Sequence, residues 1–541
     1  MKRDISHLIH HTLSIMFIAF AITSCRPLGD DLLSYGQNDD QAFAASKASF
    51  AGEFATFWLA MNENYCIWDY EAEFGLDWDE VYDTYLPQFQ ALDKRQTPVS
   101  DDELKALYCQ FLDSIHDGHC AFQIKNRHTG HYIVVNPNLD RNMRERPQVY
   151  TDEATATTLD LYRTSAADPR YLIHDYRSTS ATEIIVETID SVANRLLRGT
   201  AEYIQAVNDA GGPTPLNDSI YDAVLRLRQH ANTLLGWLAN PDIVSTSMDQ
   251  VASAYNSLCT KYGIVASQVG VNMPTLDVKL AADPLKYIRY ALFEGNIAYI
   301  RLGGFYLSNH LPDGALTSDT TSMYYAYQMA VRETWKQWFD TIQALHNAGQ
   351  LGGVIIDVRN NGGGNTDDYQ YVLGALLPSG GWESHTLRVK NGTGRLDFAP
   401  LIPFTVKTYP TEHAVISQQP IVLLANSHSV SLSENTTWGV KNQPNGYVIG
   451  TRTFGGLSAL NPVPEAYSDT YSGAFGVRDV TPIYGYVPKL ICLYQHEDGR
   501  LRPVEGVGFE PDEPLPFNLS LWQTTGRDNQ LERALDYIHS K

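Results

Sequence analysis

Ser431 opens the stretch Ser431-Leu432-Ser433-Glu434, just after a branched apolar run, Ile421 to Leu424, that predicts a buried strand. A helical run from Glu434 to Asn442 follows, so the serine falls at a strand-to-helix turn, where a hydroxyl is a candidate nucleophile. A second strand is predicted at Val354, Ile355 and Ile356, and the chain beyond it turns polar and then glycine-rich through Asp357-Val358-Arg359-Asn360-Asn361-Gly362-Gly363-Gly364. Three consecutive glycines leave the backbone bare ahead of a helix predicted at 367–377. N–H groups can come close to a ligand there, which suits an oxyanion. Far upstream, His116-Asp117-Gly118-His119 ends a helix, with Gly118 expected to supply a left-handed exit and Phe122 to Ile124 expected as a strand. His119 thus sits on a turn fixed by regular structure on both sides. By residue type alone, most serines at such turns only cap helices, which is the reading for Ser433, and most such histidines are solvated.

Taken together, Asp357, Val358, Arg359, Asn361, Gly363 and Gly364 resemble the D-L-R-x-N-x-G-G signature of the C-terminal processing and tricorn-type serine peptidases, with Val in place of Leu. In that family the nucleophile is the first serine of an S-x-S-E turn, which falls on Ser431. A later strand and T-F-G turn match Tyr447 to Gly450 and Thr453-Phe454-Gly455. The resemblance implies an acyl-enzyme on Ser431, its oxyanion held by the N–H of Leu432 and that of Gly363 or Gly364, with no metal or cofactor. In the C-terminal processing branch a lysine two residues past the T-F pair is the base, but that place holds Gly456. Lys441, about ten residues past the serine on a helix, reads as a solvated surface charge. The tricorn-like branch uses a histidine on a D-G-H turn, which makes His119 the first candidate and His428, three residues before Ser431, the second. Val504-Glu505-Gly506-Val507-Gly508-Phe509-Glu510-Pro511-Asp512 resembles the family's E-G-x-G-x-x-P-D ending. Glu505 would orient the histidine, directly or through an intervening serine; the alternative is that it only stabilises its loop.

Around these residues the chain divides into four expected parts. Residues 1–25 read as a lipoprotein signal, with basic Lys2 and Arg3, an apolar run from Leu13 to Ile22 too short to span a bilayer, and Ile22-Thr23-Ser24 before Cys25. Cys25 is the expected lipidation site, which would hold the protein on a membrane in the bacterial cell envelope. Residues 26–135 are expected as an N-terminal helical domain: Phe50, Phe54, Phe57, Trp58 and Met61 share one face, and Ser100 with Glu103 forms a capping box before Leu104, Leu107, Phe111, Leu112 and Ile115. Residues 136–290 are an insertion, mixed or helical, with helices expected near 181–207 and 220–238 and no persuasive peptide-binding loop at Gly211-Gly212-Pro213 or Gly263-Ile264. Residues 291–541 are the expected catalytic core, where strand, helix and strand alternate from Asn296–Leu302 through Trp335–Leu345 to Val354, and Arg527 to Ile538 closes the chain as an amphipathic helix. The fold class is therefore α/β, and the resemblance implies a ClpP/crotonase-like core of stacked β-β-α units.

With 541 residues, 43% of them hydrophobic and 11% aromatic, the chain can build large cores. A formal net charge of -22 argues against a nucleic-acid partner. Of the six cysteines, those beyond Cys25 form no CxxC pair and no zinc spacing, and they are expected to be buried apolar residues. The resulting expectation is a serine endopeptidase acting on protein or peptide. Its rivals are a catalytically silent binder of small apolar or peptide ligands on the same fold, and a glycan-uptake binding lipoprotein.

Overall fold

The computed structural model describes residues 48–158, 172–176, 179–214, 218–237, 254, 287–318, 320, 323–374, 376, 382–406, 418–458, 474–475, 481–496 and 498–541. The expected signal with Cys25, and Gly263-Ile264, lie outside the described residues.

Four helices open the described chain: α1 (Phe50–Asn64), α2 (Trp68–Glu73), α3 (Trp78–Asp93) and α4 (Asp101–Leu112). Ser49, Asp77 and Ser100 cap α1, α3 and α4 through side-chain oxygens that accept backbone N–H groups of the first turn. Their apolar faces meet in one aromatic cluster holding Phe50, Phe54, Phe57, Trp78, Phe89, Tyr108 and Phe111, as the spacing predicts. Strands β1 (Ala121–Lys125) and β2 (Tyr132–Val135) follow, then helices α5 (Pro137–Glu145) and α6 (Pro147–Thr158).

The centre of the molecule is a seven-stranded sheet in the order β15-β10-β9-β6-β5-β4-β3. Its members are β3 (Leu172–Tyr176), β4 (Ile288–Phe293), β5 (Ile297–Leu302), β6 (Gly353–Asp357), β9 (Ile421–Ala425), β10 (Gly446–Gly450) and β15 (Glu513–Pro514). The run from β5 through β6 and β9 to β10 is parallel. Parallel strands need cover on both faces, and β5, β6 and β9 are buried along their whole length. Alternation along β6 sends Val354 and Ile356 to one face, against Trp335, Trp338 and Ile342 of helix α9 (Met323–Asn347). Ile355 faces the other side, against Leu531, Leu535 and Ile538 of the closing helix α13 (Asn529–His539). The long helices α7 (Thr179–Asp209) and α8 (Asp218–Trp237) agree with the helices expected in the middle of the chain. β3 and β4 were not anticipated in that region; they extend the central sheet on the antiparallel side of β5.

Two four-stranded sheets complete the fold. One is ordered β14-β13-β7-β8, formed by β7 (Trp382–Val389), β8 (Ile402–Val406), β13 (Leu490–Gln495) and β14 (Leu501–Arg502). The other is ordered β11-β12-β1-β2, in which β11 (Ala474–Phe475) and β12 (Ile483–Tyr486) join the front-end strands. Ile124 lies opposite Ile483 in that register, and Ile483, Val487, Ile491 and Leu493 enter the aromatic cluster of the front helices. The front end therefore shares its core with the last quarter of the chain, and this brings its histidine turn against the loop that follows β10. Three further helices are α10 (Asp368–Val372), much shorter than the 367–377 expected, α11 (Leu432–Lys441) and α12 (Leu519–Thr525), which precedes α13. No helix among the described residues is long and apolar enough to cross a membrane.

Candidate active site

Because β6 and β9 are adjacent and parallel, their carboxyl-terminal loops emerge side by side. Val430 N donates to Asn361 O over 3.0 Å, Ser429 Oγ to Val358 O over 2.8 Å, and the side chains of Asn360 and Asn426 bond across the gap at 3.2 Å. Ser433 Oγ donates to Asn361 O over 2.7 Å and is fully buried. Ser433 is thus a cross-link between the loops and not the helix cap expected of it. Ser431 caps α11 with φ 59° and ψ -118°, a left-handed backbone for a residue with a Cβ. Such a conformation costs on the order of 1–3 kcal/mol and persists only where neighbours over-determine it. Gly363 is one such neighbour: at φ 95° it packs so closely that a Cβ there would lie 2.6 Å from the Ser431 Cβ.

The arginine of the first signature lies below the loops. Arg359 is fully buried and bonds both oxygens of Asp357, both oxygens of Asp528 and the Gln530 amide oxygen, at 2.6 to 3.0 Å. Burial pushes the Asp357 carboxyl up, but Arg359 and Arg301 together pull it below its ordinary value. This network ties the end of β6 to the start of α13.

Glu434 sets Ser431 against the T-F-G turn. Its fully buried carboxylate accepts from Thr453 Oγ1 at 2.6 Å, Gly455 N at 2.7 Å, Gly456 N at 2.8 Å and Ser431 N at 3.2 Å. Burial pushes the Glu434 carboxyl up to about 7, and these donors oppose the shift. Ser431 N also donates to Gly456 O over 2.9 Å. Gly456, where a lysine would stand in the C-terminal processing branch, is packed against the histidine turn: a Cβ on Gly118 would lie 2.3 Å from Gly455 O and from Gly456 Cα. Gly118 therefore needs to be glycine for close approach, and it is not among the positive-φ residues, so the left-handed exit expected there does not form.

Beyond that turn lies an acid-base cluster. Asp117, His119 and Glu505 each offer a side-chain atom within 4.8 Å of the others. Gly118 N donates to Glu505 Oε2 over 2.9 Å, Leu457 N to Glu505 Oε1 over 2.8 Å, and His119 N to Asp117 Oδ1 over 2.8 Å. Ser458 Oγ lies between the two carboxylates, 2.8 Å from Glu505 Oε1 and 3.1 Å from Asp117 Oδ2. Burial pushes the Asp117 carboxyl up to about 7 and the Glu505 carboxyl well above its ordinary range, the charge of Asp117 adding to the latter. Burial lowers His119 to about 4, so its ring is neutral through the physiological range, and its Nδ1 is buried without a hydrogen-bond partner. A neutral, partner-free imidazole can accept a proton. One histidine and two carboxylates are also cation ligands by type, and each of the four carboxylate oxygens already faces an N–H or O–H group.

The remaining candidates are separated by their partners. His428 bonds Tyr150 O through Nε2 at 3.1 Å and packs on the Tyr150 ring, which makes it part of the packing around the turn. Lys441 pairs with Asp512 on the surface. Gly363 N donates to Asn361 Oδ1 over 2.8 Å, so of the two glycines expected for the oxyanion, Gly363 has its N–H engaged. Among the described residues no hydrogen bond takes up the N–H of Gly364 or of Leu432. Gly364 is held by the loop after β5, where Phe305 N donates to Gly363 O over 2.9 Å and Asn365 N to Phe305 O over 2.7 Å. Ser458, Asp117 and Glu434 carry contacts of the site without having been singled out as site residues in the sequence; Glu434 lies in the S-x-S-E motif and Asp117 in the D-G-H turn, and Ser458 lies in neither. Cys66, Cys120 and Cys492 are buried and Cys109 half-buried, all four unpaired; Cys25 and Cys259 lie outside the described residues.

The chain is 26% identical over 278 residues to a carboxy-terminal-processing protease of Bartonella bacilliformis, a match that takes in 50% of this chain and 52% of the relative, so it spans about half that protein's length. Among solved structures it is similar to a candidate peptidase from Parabacteroides merdae, with 16% identity, TM-score 0.43, and coverage of 91% of this chain and 97% of the other. It is also similar to the tricorn protease, with 19% identity, TM-score 0.26, and coverage of 45% and 18%. Residues 296–471, which hold the glycine loop, the Ser431 turn and the T-F-G turn, match the model of peptidase family S41, and the chain carries a domain of that family.

Proposed function

We propose that the protein is an envelope-located serine endopeptidase that cleaves peptide bonds through an acyl-enzyme on Ser431, with His119 as the base. The observation that carries this reading is the segment 453–458, which touches both halves of the chemistry: Gly456 O accepts the Ser431 N–H, and two residues on Ser458 bonds the carboxylate beside His119. His119, neutral above about pH 4, takes the Ser431 proton as the hydroxyl attacks the substrate carbonyl, then returns it to the leaving amine. Glu505 and Asp117, each with a side-chain atom within 4.8 Å of the imidazole, stabilise the imidazolium in between. The N–H groups of Leu432 and Gly364 receive the oxyanion, each such donor being worth about 2.7–4 kcal/mol. The N-terminal stretch ending at Cys25 supplies the envelope address and acyl anchor, an inference from sequence alone.

The test is labelling by a small fluorophosphonate followed by digestion of an unstructured protein. Adduct on Ser431 and cleavage that Ser431→Ala abolishes are expected. An unlabelled, inactive parent would favour the silent binder.

A further inference from the structure

On the reading just given, the catalytic serine and histidine meet through the backbone of residues 452–456, so whatever fixes that backbone sets their separation. The N–H groups of the turn are held from the core: Thr453 N by Phe509 O, Phe454 N by Ser429 O, and those of Gly455 and Gly456 by Glu434. Its carbonyls are held from outside, by α5 and the residue that caps it. Asn138 Nδ2 donates to Phe454 O and Gly455 O, both at 3.1 Å, and Asn142 Nδ2 donates to Phe454 O at 3.0 Å. Arg146 donates to Arg452 O at 2.6 Å and to Thr453 O at 3.3 Å. Every carbonyl from 452 to 455 is thus met by at least one of three side chains spaced four residues apart, two on α5 and one at its C-cap. Next to them, Glu153 of α6 joins the ends of β9 and β10, accepting from Ser427 N at 2.9 Å and from Thr451 Oγ1 at 2.7 Å.

We propose that Asn138, Asn142 and Arg146 are positioning residues for the hydrolysis, which hold the 452–456 turn so that His119 stays in reach of Ser431. Both asparagines are buried in a helix, Asn138 fully and Asn142 at 3% exposure. Asparagine is a weak helix former there and costly to bury unless its amide is bonded. In this chain the turn carries no lysine side chain of its own at Gly456, so its usefulness lies in where its backbone stands. A shift of about 1 Å between reacting groups costs on the order of a hundredfold in rate.

The experiment compares Asn138→Ala, Asn142→Ala and Arg146→Lys with the parent and with Met143→Ala, a control at an exposed position of the same helix. It measures the rate of Ser431 phosphonylation and the separate kcat and KM for a peptide, each on protein shown folded by circular dichroism. Both alanine variants should lose about ten- to a hundredfold in phosphonylation rate and kcat, with KM within about twofold. Arg146→Lys, which keeps the charge but not the two-pronged donor, should fall between them and the parent. Should an alanine variant fail to fold, Arg146→Lys decides alone. Folded variants with parental phosphonylation, or a loss confined to KM, would overturn the proposal. A parent that is not phosphonylated would refute the serine mechanism instead, so the two failures are distinct.

Discussion

Replacing Arg359 by lysine preserves charge and much of the length, yet the structure gives it a large cost. The guanidinium bonds both oxygens of Asp357 and of Asp528 and the oxygen of Gln530, and all of these residues are fully buried. An ammonium has three donors around one point and cannot span two carboxylates on opposite sides. Asp357 would keep Tyr299 Oη at 2.8 Å, and Asp528 would keep the N–H groups of Gln530 and Leu531, so neither is stripped bare. What is lost is charge compensation for one buried carboxylate, which costs about 3–5 kcal/mol when a buried pair is broken. Urea unfolding followed by tryptophan fluorescence should show the central core of Arg359→Lys melting well below the parent, while the folded variant, assayed at low temperature, keeps its Ser431 phosphonylation rate. A midpoint unchanged to within about 0.5 kcal/mol would show that the network contributes little. Intact stability with lost labelling would move Arg359 from scaffold to chemistry.

Ser433→Ala removes one hydrogen bond to Asn361 O, a carbonyl that retains Val430 N, so a loss of about 0.5–1.5 kcal/mol with activity preserved is expected; an inactive Ser433 variant would displace Ser431 as nucleophile. Of His119→Ala, His428→Ala and Lys441→Ala, only the first should lose several orders of magnitude in turnover, and equal turnover of His119→Ala and the parent would sink the assignment. The base works when neutral, so the histidine's acid limb in kcat/KM should fall near pH 4 and not near the 6.5 of an exposed ring; a limb at 6–7 that survives Asp117→Asn and Glu505→Gln would contradict it. His310 and His385, like His119, are lowered to about 4 by burial. Unfolded histidines bind protons first, so the stability these groups contribute is present above about pH 6.5 and lost as pH falls towards 4; urea midpoints that stay flat across that window would refute the linkage.

What the sequence made legible was local. The serine turn, the glycine loop and the capped front helices are each specified by residues a few positions apart, and Ser431, Gly363 and Ser100 stand where those patterns put them. The α/β class followed from alternating periodicities, with β6 and β9 as buried runs. Contacts between distant segments were not legible. Nothing near Ser458 indicates that it will lie between Asp117 and Glu505, separated by hundreds of positions from the first, and Asn138 and Asn142 look like ordinary polar helix residues until the carbonyls they meet are known. Gly118 shows the same limit: its need for a bare backbone comes from Gly455 and Gly456.

The pairing of β1 with β12 has a consequence for how the protein comes into being. A chain that emerges from its N-terminus presents Phe122 and Ile124 long before Ile483 exists to cover them, and contacts of such sequence separation form late and slowly. The histidine turn is anchored to Glu505, which also holds Leu457, so it too waits for the end of the chain. No nascent fragment that lacks the last quarter of the chain holds an assembled site. A site built this way cannot act on its own unfolded chain before the last quarter of that chain is in place.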